Sequence, residues 1–389
     1  MSGSNLPVPA ALGAASVTVT EMLRQGRNLL ISNPSFQRWA ASFPLTRLIA
    51  ERQSAALFDI CSGFVYSQVL LACVRLDLFA KLAEGPKPCA SLADELELSI
   101  DATQRLLRAA AALNLANELS GERYTLGDLG AAMIADPSIG AFVEHHSLLY
   151  SDLNDPVALL RGNVSTKLAA FWPYASQKPG DPPPVAADPQ AYARYSELMA
   201  QSQVLIAEDI LDAFAPTGRR RWLDVGGGEG VFVGALAELA PEVEANLFDL
   251  PQVTVRARAS LQKRGMLSRV TIHEGDFFSD PLPQGADVVS LIRVLHDHDD
   301  DSARALLTRI HAAMEPGGTL LIAEPMAGAR GPERVGDAYF NFYLLAMGHG
   351  RIRNMAEFTT LLEGAGFGEV RALASRRPML ANILVAQRM

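Results

Sequence analysis

A glycine-rich turn in the C-terminal half of the sequence has the composition of a ligand-binding loop. Residues 222–230 read WLDVGGGEG, and Gly226, Gly228 and Gly230 are spaced G-x-G-x-G after an apolar run. Glycines at a strand-to-helix turn let backbone amides approach a ligand closely. The dinucleotide fingerprint G-x-G-x-x-G does not fit, because Val231 occupies its last position. The turn therefore predicts a binding loop of another kind than that of nicotinamide enzymes.

Acidic and aromatic residues accompany this turn in an order that suits a nucleoside. Asp224 precedes the glycines, and an acid at that place favours a cationic ligand. Asp249 ends the next apolar segment, where a carboxylate can bridge two ribose hydroxyls. The GDFF segment then supplies Asp276 as a hydrogen-bond acceptor and the ring of Phe277 as a surface for an adenine. The sequence thus predicts a binding loop, a ribose acid and a base pocket in succession.

Five short apolar segments alternate with helical stretches after residue 216 and must position these residues. They read RRWLDVG, EANLFDL, RVTIHEGD, ADVVSLIRV and GTLLIAEP. Continuous apolar strands between helices are typical of a parallel sheet that is covered on both faces. The last two runs, EVRALASR and ANILVAQR, are close enough to pair as an antiparallel hairpin at one edge. We expect a doubly wound α/β domain over residues 216–389.

The N-terminal half has helical periodicity instead. Apolar spacing predicts helices over ALFDICSGFVYSQVLLACVRLDLF and over DATQRLLRAAAALNLANEL. The second helix follows an Asp at a capping position. A short helix over SLADELELS is predicted between them. A hairpin over GERYTLGDLG would complete a winged-helix-like unit. We expect an N-terminal extension over residues 1–50, this helical domain over 51–176, and a Pro-rich loop with a linker helix over 177–215.

The composition is that of an ordinary globular protein, with 389 residues, 49% of them hydrophobic, and a net charge of −9. This charge argues against a nucleic-acid partner, because phosphate binding relies on clustered Lys and Arg. Cys61, Cys73 and Cys89 lack CxxC spacing and neighbouring His, so we expect reduced thiols and no zinc site. The first residues lack a basic secretory segment, and we expect a cytoplasmic protein, with peripheral membrane contact left open.

The motifs together resemble a known enzyme family. LDVGGGEG, FDLP, GDFF, RVLHDHDD and EPGGTLLIAEP, in this order, look like the class I S-adenosylmethionine-dependent methyltransferases, specifically the two-domain small-molecule O-methyltransferases of the plant and acetylserotonin type. The resemblance implies a Rossmann-like methyltransferase sheet, S-adenosylmethionine as the cofactor, no metal, and a helical domain that forms a homodimer. It implies cofactor-binding roles for Asp224, Gly226, Gly228, Gly230, Asp249, Leu250, Asp276, Phe277 and Arg293.

The resemblance also implies a catalytic base. His296 follows the fourth strand and matches the general base of the family, and a group with a reference pKa of about 6.5 can accept a proton at physiological pH. Glu324 matches the acid that orients this base. The second glutamate of plant members corresponds to Ile352 here, which leaves His296 with one visible partner. The aspartates after it, Asp297 and 299–301, are expected to cap a helix and face solvent.

Within the family, RWAASFPLTRLIAER and the helix after it look most like the carotenoid hydroxyl methyltransferases of phototrophic bacteria, which implies a hydroxylated carotenoid as the methyl acceptor. One alternative is an O-methyltransferase of a phenolic or polyketide metabolite, and another is a C-methyltransferase of the bacteriochlorophyll pathway. A third is a methyltransferase fold that transfers no methyl group. The alternative outside enzymes is a winged-helix DNA-binding regulator, although its recognition helix offers only Arg105 and Arg108 as phosphate contacts.

Further histidines and aromatic residues leave two interpretations open. His273, His311 and His349 are predicted to be structural, and so are His145 and His146, although the last two could line the substrate cavity. The stretch DAYFNFYLLAM has helical spacing that fits a core as well as an acceptor pocket.

Overall fold

The computed structural model describes residues 18–171, 202–328 and 334–389. They belong to two compact units, Met1–Gly127 and Asp128–Met389. The Pro-rich segment 177–190 and the start of the predicted linker helix lie outside the described residues.

The first unit consists of helices followed by a small antiparallel sheet in the order β1-β3-β2. Its elements are α1 (Val19–Ile31), α2 (Pro34–Ser42), α3 (Pro44–Arg75), α4 (Leu78–Ala83), β1 (Lys87–Pro88), α5 (Cys89–Glu95), α6 (Ile100–Ala112), β2 (Ala116–Leu119) and β3 (Arg123–Leu126). The helical domain with a terminal hairpin agrees with the winged-helix-like prediction.

Three local predictions in this unit were wrong. The predicted hairpin over GERYTLGDLG begins too late, because β2 pairs with β3 through a turn at residues 120–122, and a helix already begins at Asp128. The strand β2 also falls inside the stretch predicted as the end of the second helix. That helix is capped by Ser99, whose hydroxyl accepts the N–H of Ala102 at 3.2 Å, and not by an aspartate.

The second unit contains a seven-stranded sheet between two layers of helices. Its strands are β4 (Arg221–Val225), β5 (Glu244–Asp249), β6 (Val270–Glu274), β7 (Ala286–Ile292), β8 (Met314–Glu324), β9 (Phe367–Leu373) and β10 (Asn382–Arg388). Its helices are α7 (Asp128–Ala135), α8 (Pro137–Asp152), α9 (Pro156–Leu160), α10 (Lys167–Phe171), α11 (described over residues 202–213), α12 (Val231–Leu239), α13 (Pro251–Lys263), α14 (Asp300–Ala313), α15 (Asn341–Met347) and α16 (Met355–Gly364), with a π-helix at Arg334–Phe340.

The strand order is β6-β5-β4-β7-β8-β10-β9. The first five strands in this order are parallel. β9 and β10 pair antiparallel at one edge, as the sequence predicted, and β10 also pairs antiparallel with β8. The chain leaves β4 toward β5 on one side, and β7 lies on the other side. The carboxyl ends of β4 and β7 therefore form the switch point where ligands bind in open parallel sheets.

Alternating strand residues build a core on each face of the sheet. Leu223 of β4 packs into one cluster with Leu307 of α14 and Phe358 of α16. Trp222, its neighbour, packs into the other cluster with residues of α11, α12 and α13, and its indole N–H donates to the hydroxyl of Ser290 at 3.1 Å. Because both faces are covered, the functional side chains are confined to the carboxyl edge.

Candidate active site

The turn between β4 and α12 brings the predicted glycines to this edge. Gly226 and Gly228 have φ angles of 70° and 58°, which side chains other than glycine adopt at a cost. A Cβ at Gly226 would lie 2.8 Å from Cγ2 of Val294, which follows β7, whereas a Cβ at Gly228 would meet no atom of the described part of the chain within 4 Å. The first glycine thus permits close packing against the next strand end, and the second borders open space. Gly230 immediately precedes α12.

Asp249 closes one side of the glycine turn. Its Oδ2 accepts the backbone N–H of Gly228 at 2.8 Å, and its Oδ1 accepts the N–H of Leu250 at 2.7 Å. A carboxylate offers about four acceptor positions, so about two remain for hydroxyl groups of a ligand. Burial raises the pKa of Asp249 to about 6, although the two N–H donors lower it.

Asp224 lies beneath the turn. Its side chain is 1% exposed, and its Oδ1 accepts the hydroxyl of Ser290 at 2.6 Å. The other oxygen is aimed at the turn, because a Cβ at Gly227 would lie 2.8 Å from it. Burial, together with the charge of Asp249, raises the pKa of Asp224 to about 7, although the hydrogen bond from Ser290 lowers it. Asp224 is buried and Asp249 is partly buried, and a positive ligand beside these two acids would stabilise their charged forms.

The predicted base pocket follows β6. Oδ1 of Asp276 accepts the N–H of Phe278 at 2.8 Å and so closes a tight turn. The partly buried ring of Phe277 meets the rings of Phe278 and His298 edge to face, at centroid distances of 4.7 and 5.7 Å. His298 is thus part of this aromatic group, and burial lowers its pKa to about 4.

His296 and Glu324 are brought together by the ends of β7 and β8. Nδ1 of His296 lies 2.6 Å from Oε2 of Glu324, and both side chains are buried. The other carboxylate oxygen of Glu324 accepts the backbone N–H groups of Val294 and Leu295, at 2.8 and 2.6 Å. This carboxylate therefore fixes the turn that carries the histidine as well as the imidazole itself.

Asp297 is a second carboxylate at the histidine, which sequence reasoning placed on the solvated face. Its Oδ1 lies 3.1 Å from Nε2 of His296, is buried and has no hydrogen-bond partner among the residues that the structure describes. Burial alone would lower the pKa of His296, but the charges of Asp297 and Glu324 raise it above the usual 6.5. Ile352 occupies the place of the plant glutamate and is buried among apolar residues.

The turn from 293 to 298 is held by arginines. Arg293 has a φ of 58°, an unusual value for a residue with a side chain, and its Nη1 donates to the hydroxyl of Ser202 at 2.9 Å. Arg353 is 1% exposed and donates to the carbonyl oxygens of Leu295 and His298, both at 2.8 Å. No local sequence pattern marks Arg353 as a residue of the site, so sequence reasoning missed it.

Arg353 also forms an ion pair with Asp300. Asp300 is therefore not purely solvated, contrary to the prediction. Asp299 is the N-cap of α14, where its Oδ1 accepts the N–H of Ser302 at 2.8 Å, and Asp301 is 96% exposed. The cap and solvated-face prediction therefore holds for Asp299 and Asp301.

An aromatic group lies beside His296. The ring of Phe340 approaches the imidazole edge to face at a centroid distance of 6.2 Å. Two hydrogen-bonded pairs join α8 to the π-helix and α15, with Nε2 of His145 at 2.7 Å from the hydroxyl of Tyr343 and Nε2 of His146 at 2.9 Å from that of Tyr339. Burial lowers the pKa of His145 to about 4. Buried Tyr343 and Met347 also belong to a core cluster, so part of the stretch DAYFNFYLLAM is core, while its Phe340 lies beside His296.

Two further histidines, His273 and His311, have structural surroundings. Nε2 of His273 lies 2.9 Å from the side-chain oxygen of Asn246, and His311 packs edge to face on Phe367. These contacts agree with the structural roles predicted for both.

Comparisons with known proteins agree with this geometry. A family model of the O-methyltransferase domain matches residues 150–368, and a model of the O-methyltransferase dimerisation domain matches residues 58–136. The chain is 43% identical to a demethylspheroidene O-methyltransferase of Cereibacter sphaeroides, over 92% of this chain and 93% of that protein.

Solved structures have a similar fold. The mitomycin 7-O-methyltransferase MmcR is 26% identical, with a TM-score of 0.70, over 88% of this chain and 100% of its own. Human N-acetylserotonin methyltransferase in complex with S-adenosylmethionine is 25% identical, with a TM-score of 0.67, over 86% of this chain and 97% of its own.

Proposed function

Because this chain belongs to the S-adenosylmethionine-dependent O-methyltransferases, we propose that it methylates a hydroxyl group of an apolar small molecule, and that this acceptor is a hydroxylated carotenoid. The contact between His296 and Glu324 carries the proposed chemistry. The 43% identity to the demethylspheroidene enzyme over nearly the whole chain supports the proposed acceptor. The match to the dimerisation domain supports a homodimer.

The residues at the carboxyl edge fit the cofactor. S-adenosylmethionine supplies a methyl group on a positively charged sulfur, joined to a ribose and an adenine. Asp249 has acceptor positions left for the ribose hydroxyls, and the open space at Gly228 lets a ligand approach the backbone. We assign the adenine to Asp276 and Phe277. Asp224, Gly226, Gly230, Leu250 and Arg293 complete the proposed cofactor site.

His296 is the proposed general base. When Nδ1–H donates to Glu324, the lone pair of Nε2 is available to accept a proton. The acceptor O–H bond breaks toward Nε2 while the new O–CH₃ bond forms and the S–CH₃ bond breaks. An aliphatic alcohol is a very weak acid, so the proton leaves in the same step and not beforehand. Glu324 stabilises the resulting imidazolium and keeps the ring in its orientation.

The wall beside His296 supports an apolar acceptor. Phe340 contacts the imidazole, and Phe142 packs edge to face on the ring of His146 at 4.3 Å. Burial lowers the pKa of both His145 and His146, so these histidines are neutral at physiological pH. The Nε2 atom of each histidine is hydrogen-bonded to a tyrosine hydroxyl. The wall therefore presents aromatic surface and no net charge to the acceptor.

An acceptor assay tests this proposal. The purified chain is given S-adenosylmethionine with a labelled methyl group, and a hydroxycarotenoid is compared with flavonoids and tetrapyrroles, all dispersed in the same detergent. Label in an ether of the hydroxycarotenoid is the expected result. Label in a phenol at far higher kcat/KM would favour the phenolic alternative, and label on a carbon of a tetrapyrrole would favour the C-methyltransferase.

A further inference from the structure

Three helices at the start of the described chain expose apolar side chains. We call residues 18–57, which contain α1, α2 and the first part of α3, the N-terminal arm. The structure describes every residue of the arm, and Ala40 is the only buried residue among them. Leu23, Leu30, Leu45 and Ile49 are between 50% and 80% exposed. Such a concentration of exposed apolar residues marks a binding surface.

The arm is basic, in contrast to the rest of the chain. It contains five arginines, two glutamates and neither lysine nor aspartate, whereas the whole chain has a net charge of −9. The arginines are Arg24, Arg27, Arg38, Arg47 and Arg52. Both acids are engaged within the arm, because Glu21 completes the capping box of Thr18 and Glu51 pairs with Arg47 at 2.8 Å. The arm therefore offers positive charge to a partner.

The apolar and basic residues of α1 are segregated. Val19, Met22, Leu23 and Leu30 recur at helical spacing, while Arg24 and Arg27 lie together on the flank of this apolar face. In α2 and its C-cap, the ring of Trp39 stacks on that of Phe43 at 5.0 Å, and the two side chains remain 49% and 38% exposed. Apolar faces flanked by arginine, with an exposed Trp, are typical of helices that lie in a membrane interface.

The arm also lies outside the match to the dimerisation-domain model. The dimerisation match begins at residue 58, immediately after the arm. Among the described residues, α3 is long and apolar enough to cross a membrane by length and composition, but its more apolar second half falls within that match. The match to MmcR spans all of MmcR but only 88% of this chain, so this chain has residues that MmcR lacks.

We propose that the N-terminal arm docks on an anionic phospholipid surface, with its apolar residues in the interface and its arginines at the headgroups. The complementary charges favour lipid over a second copy of this arm, which would bring like charges together. Support for docking comes from the arm alone and does not depend on the acceptor. A hydroxycarotenoid acceptor, which rests on the proposed function, would reside in the same bilayer.

Flotation with vesicles tests the proposal on the full chain. The protein is expected to float with vesicles of equal parts phosphatidylglycerol and phosphatidylcholine, to bind pure phosphatidylcholine far less, and to be released by salt. Arg24→Gln with Arg27→Gln should weaken partitioning by about 30-fold, since one basic residue near an anionic leaflet contributes about fivefold. Leu23→Gln with Leu30→Gln should reduce binding to both kinds of vesicle.

Leu239→Gln with Val255→Gln is the matched control, because these residues are 58% and 66% exposed and lie on α12 and α13. It should float like the wild type.

The proposal is overturned if the wild type floats with neither kind of vesicle at low salt, or if the control loses as much binding as the arm variants. It is also overturned if Leu23→Gln with Leu30→Gln converts a dimer to a monomer by light scattering. Turnover of the detergent-dispersed acceptor should be unchanged in the arm variants, so failure of the proposed function is detected separately.

Discussion

Oδ1 of Asp297 lies 3.1 Å from Nε2 of His296, on the side of the imidazole opposite to Glu324. The histidine is therefore held between two carboxylates, of which Glu324 forms a hydrogen bond and Asp297 acts through its charge. Because the acceptor hydroxyl must approach the same nitrogen, Asp297 borders the proposed reaction site. Its charge makes the imidazole a stronger base, which suits an acceptor that is a weak acid.

This arrangement predicts the pH dependence of the reaction. His296 must be neutral to accept a proton, and its pKa is raised above 6.5, so kcat/KM should fall as the pH drops through a value above 6.5. In Asp297→Asn, a source of this raised pKa is removed, and the fall should occur at lower pH. Profiles of kcat/KM against pH for the two proteins measure the displacement. An unchanged profile would show that Asp297 has no electrostatic effect on the base.

Glu324→Gln should hold His296 in the wrong tautomer. It should therefore lower kcat by about two to four orders of magnitude, which is the contribution of a general base. If the amide oxygen keeps the N–H groups of Val294 and Leu295, the NH₂ group faces Nδ1 and drives the proton to Nε2. Glu315→Gln, an exposed change on the same strand, is the control and should retain activity. Near-normal turnover in Glu324→Gln would refute the orienting role. Calorimetry should find the cofactor affinity of both variants close to that of the wild type.

Asp249→Ala should weaken binding of S-adenosylmethionine by about 10- to 100-fold, the span expected for lost hydrogen bonds to a charged group. The variant should approach wild-type kcat at saturating cofactor, because Asp249 does not contact the base. Titration calorimetry with S-adenosylmethionine gives the affinity directly. An unchanged Kd would exclude Asp249 as the ribose ligand.

Asp224 predicts how stability depends on pH in the cofactor-free protein. Its pKa is raised from 3.8 to about 7 by burial, so the folded state binds its proton more tightly than the unfolded state. This stabilising contribution is complete below pH 3.8 and is lost as the pH rises through about 7. The free energy of unfolding should fall between pH 5 and 8 by up to about 1.4 kcal/mol per pH unit from this group.

Asp224→Asn should flatten that dependence, because an amide keeps an acceptor for Ser290 and does not titrate. Urea unfolding of wild type and variant at pH 5 and pH 8 measures the two slopes. Equal slopes would mean that Asp224 titrates at its ordinary pKa.

The strands and the placement of the glycines could be predicted because they depend on local patterns. Continuous apolar runs and turn residues define β4 to β8, and consecutive motifs place Gly226, Asp249 and His296 at the carboxyl ends of neighbouring strands. Glu324 was named from its place in the family motif, and the structure brings it to the imidazole.

The second carboxylate could not be predicted, because its position depends on backbone geometry that no pattern encodes. The positive φ of Arg293 and the hydrogen bonds from Arg353 shape a short turn that aims Asp297 at the ring. In the sequence, Asp297 looks like the start of an acidic helix cap. Arg353 is distant in sequence and joins the site only through the packing of the chain after α15.

The most direct test of the account is single-turnover methyl transfer by His296→Ala. With a hydroxycarotenoid acceptor, its rate should be about two to four orders of magnitude below that of the wild type, while the Kd for S-adenosylmethionine stays the same. His311→Ala, which changes a histidine packed on Phe367, should transfer the methyl group at the wild-type rate. An equal rate in His296→Ala and wild type would contradict the central claim that this imidazole removes the hydroxyl proton.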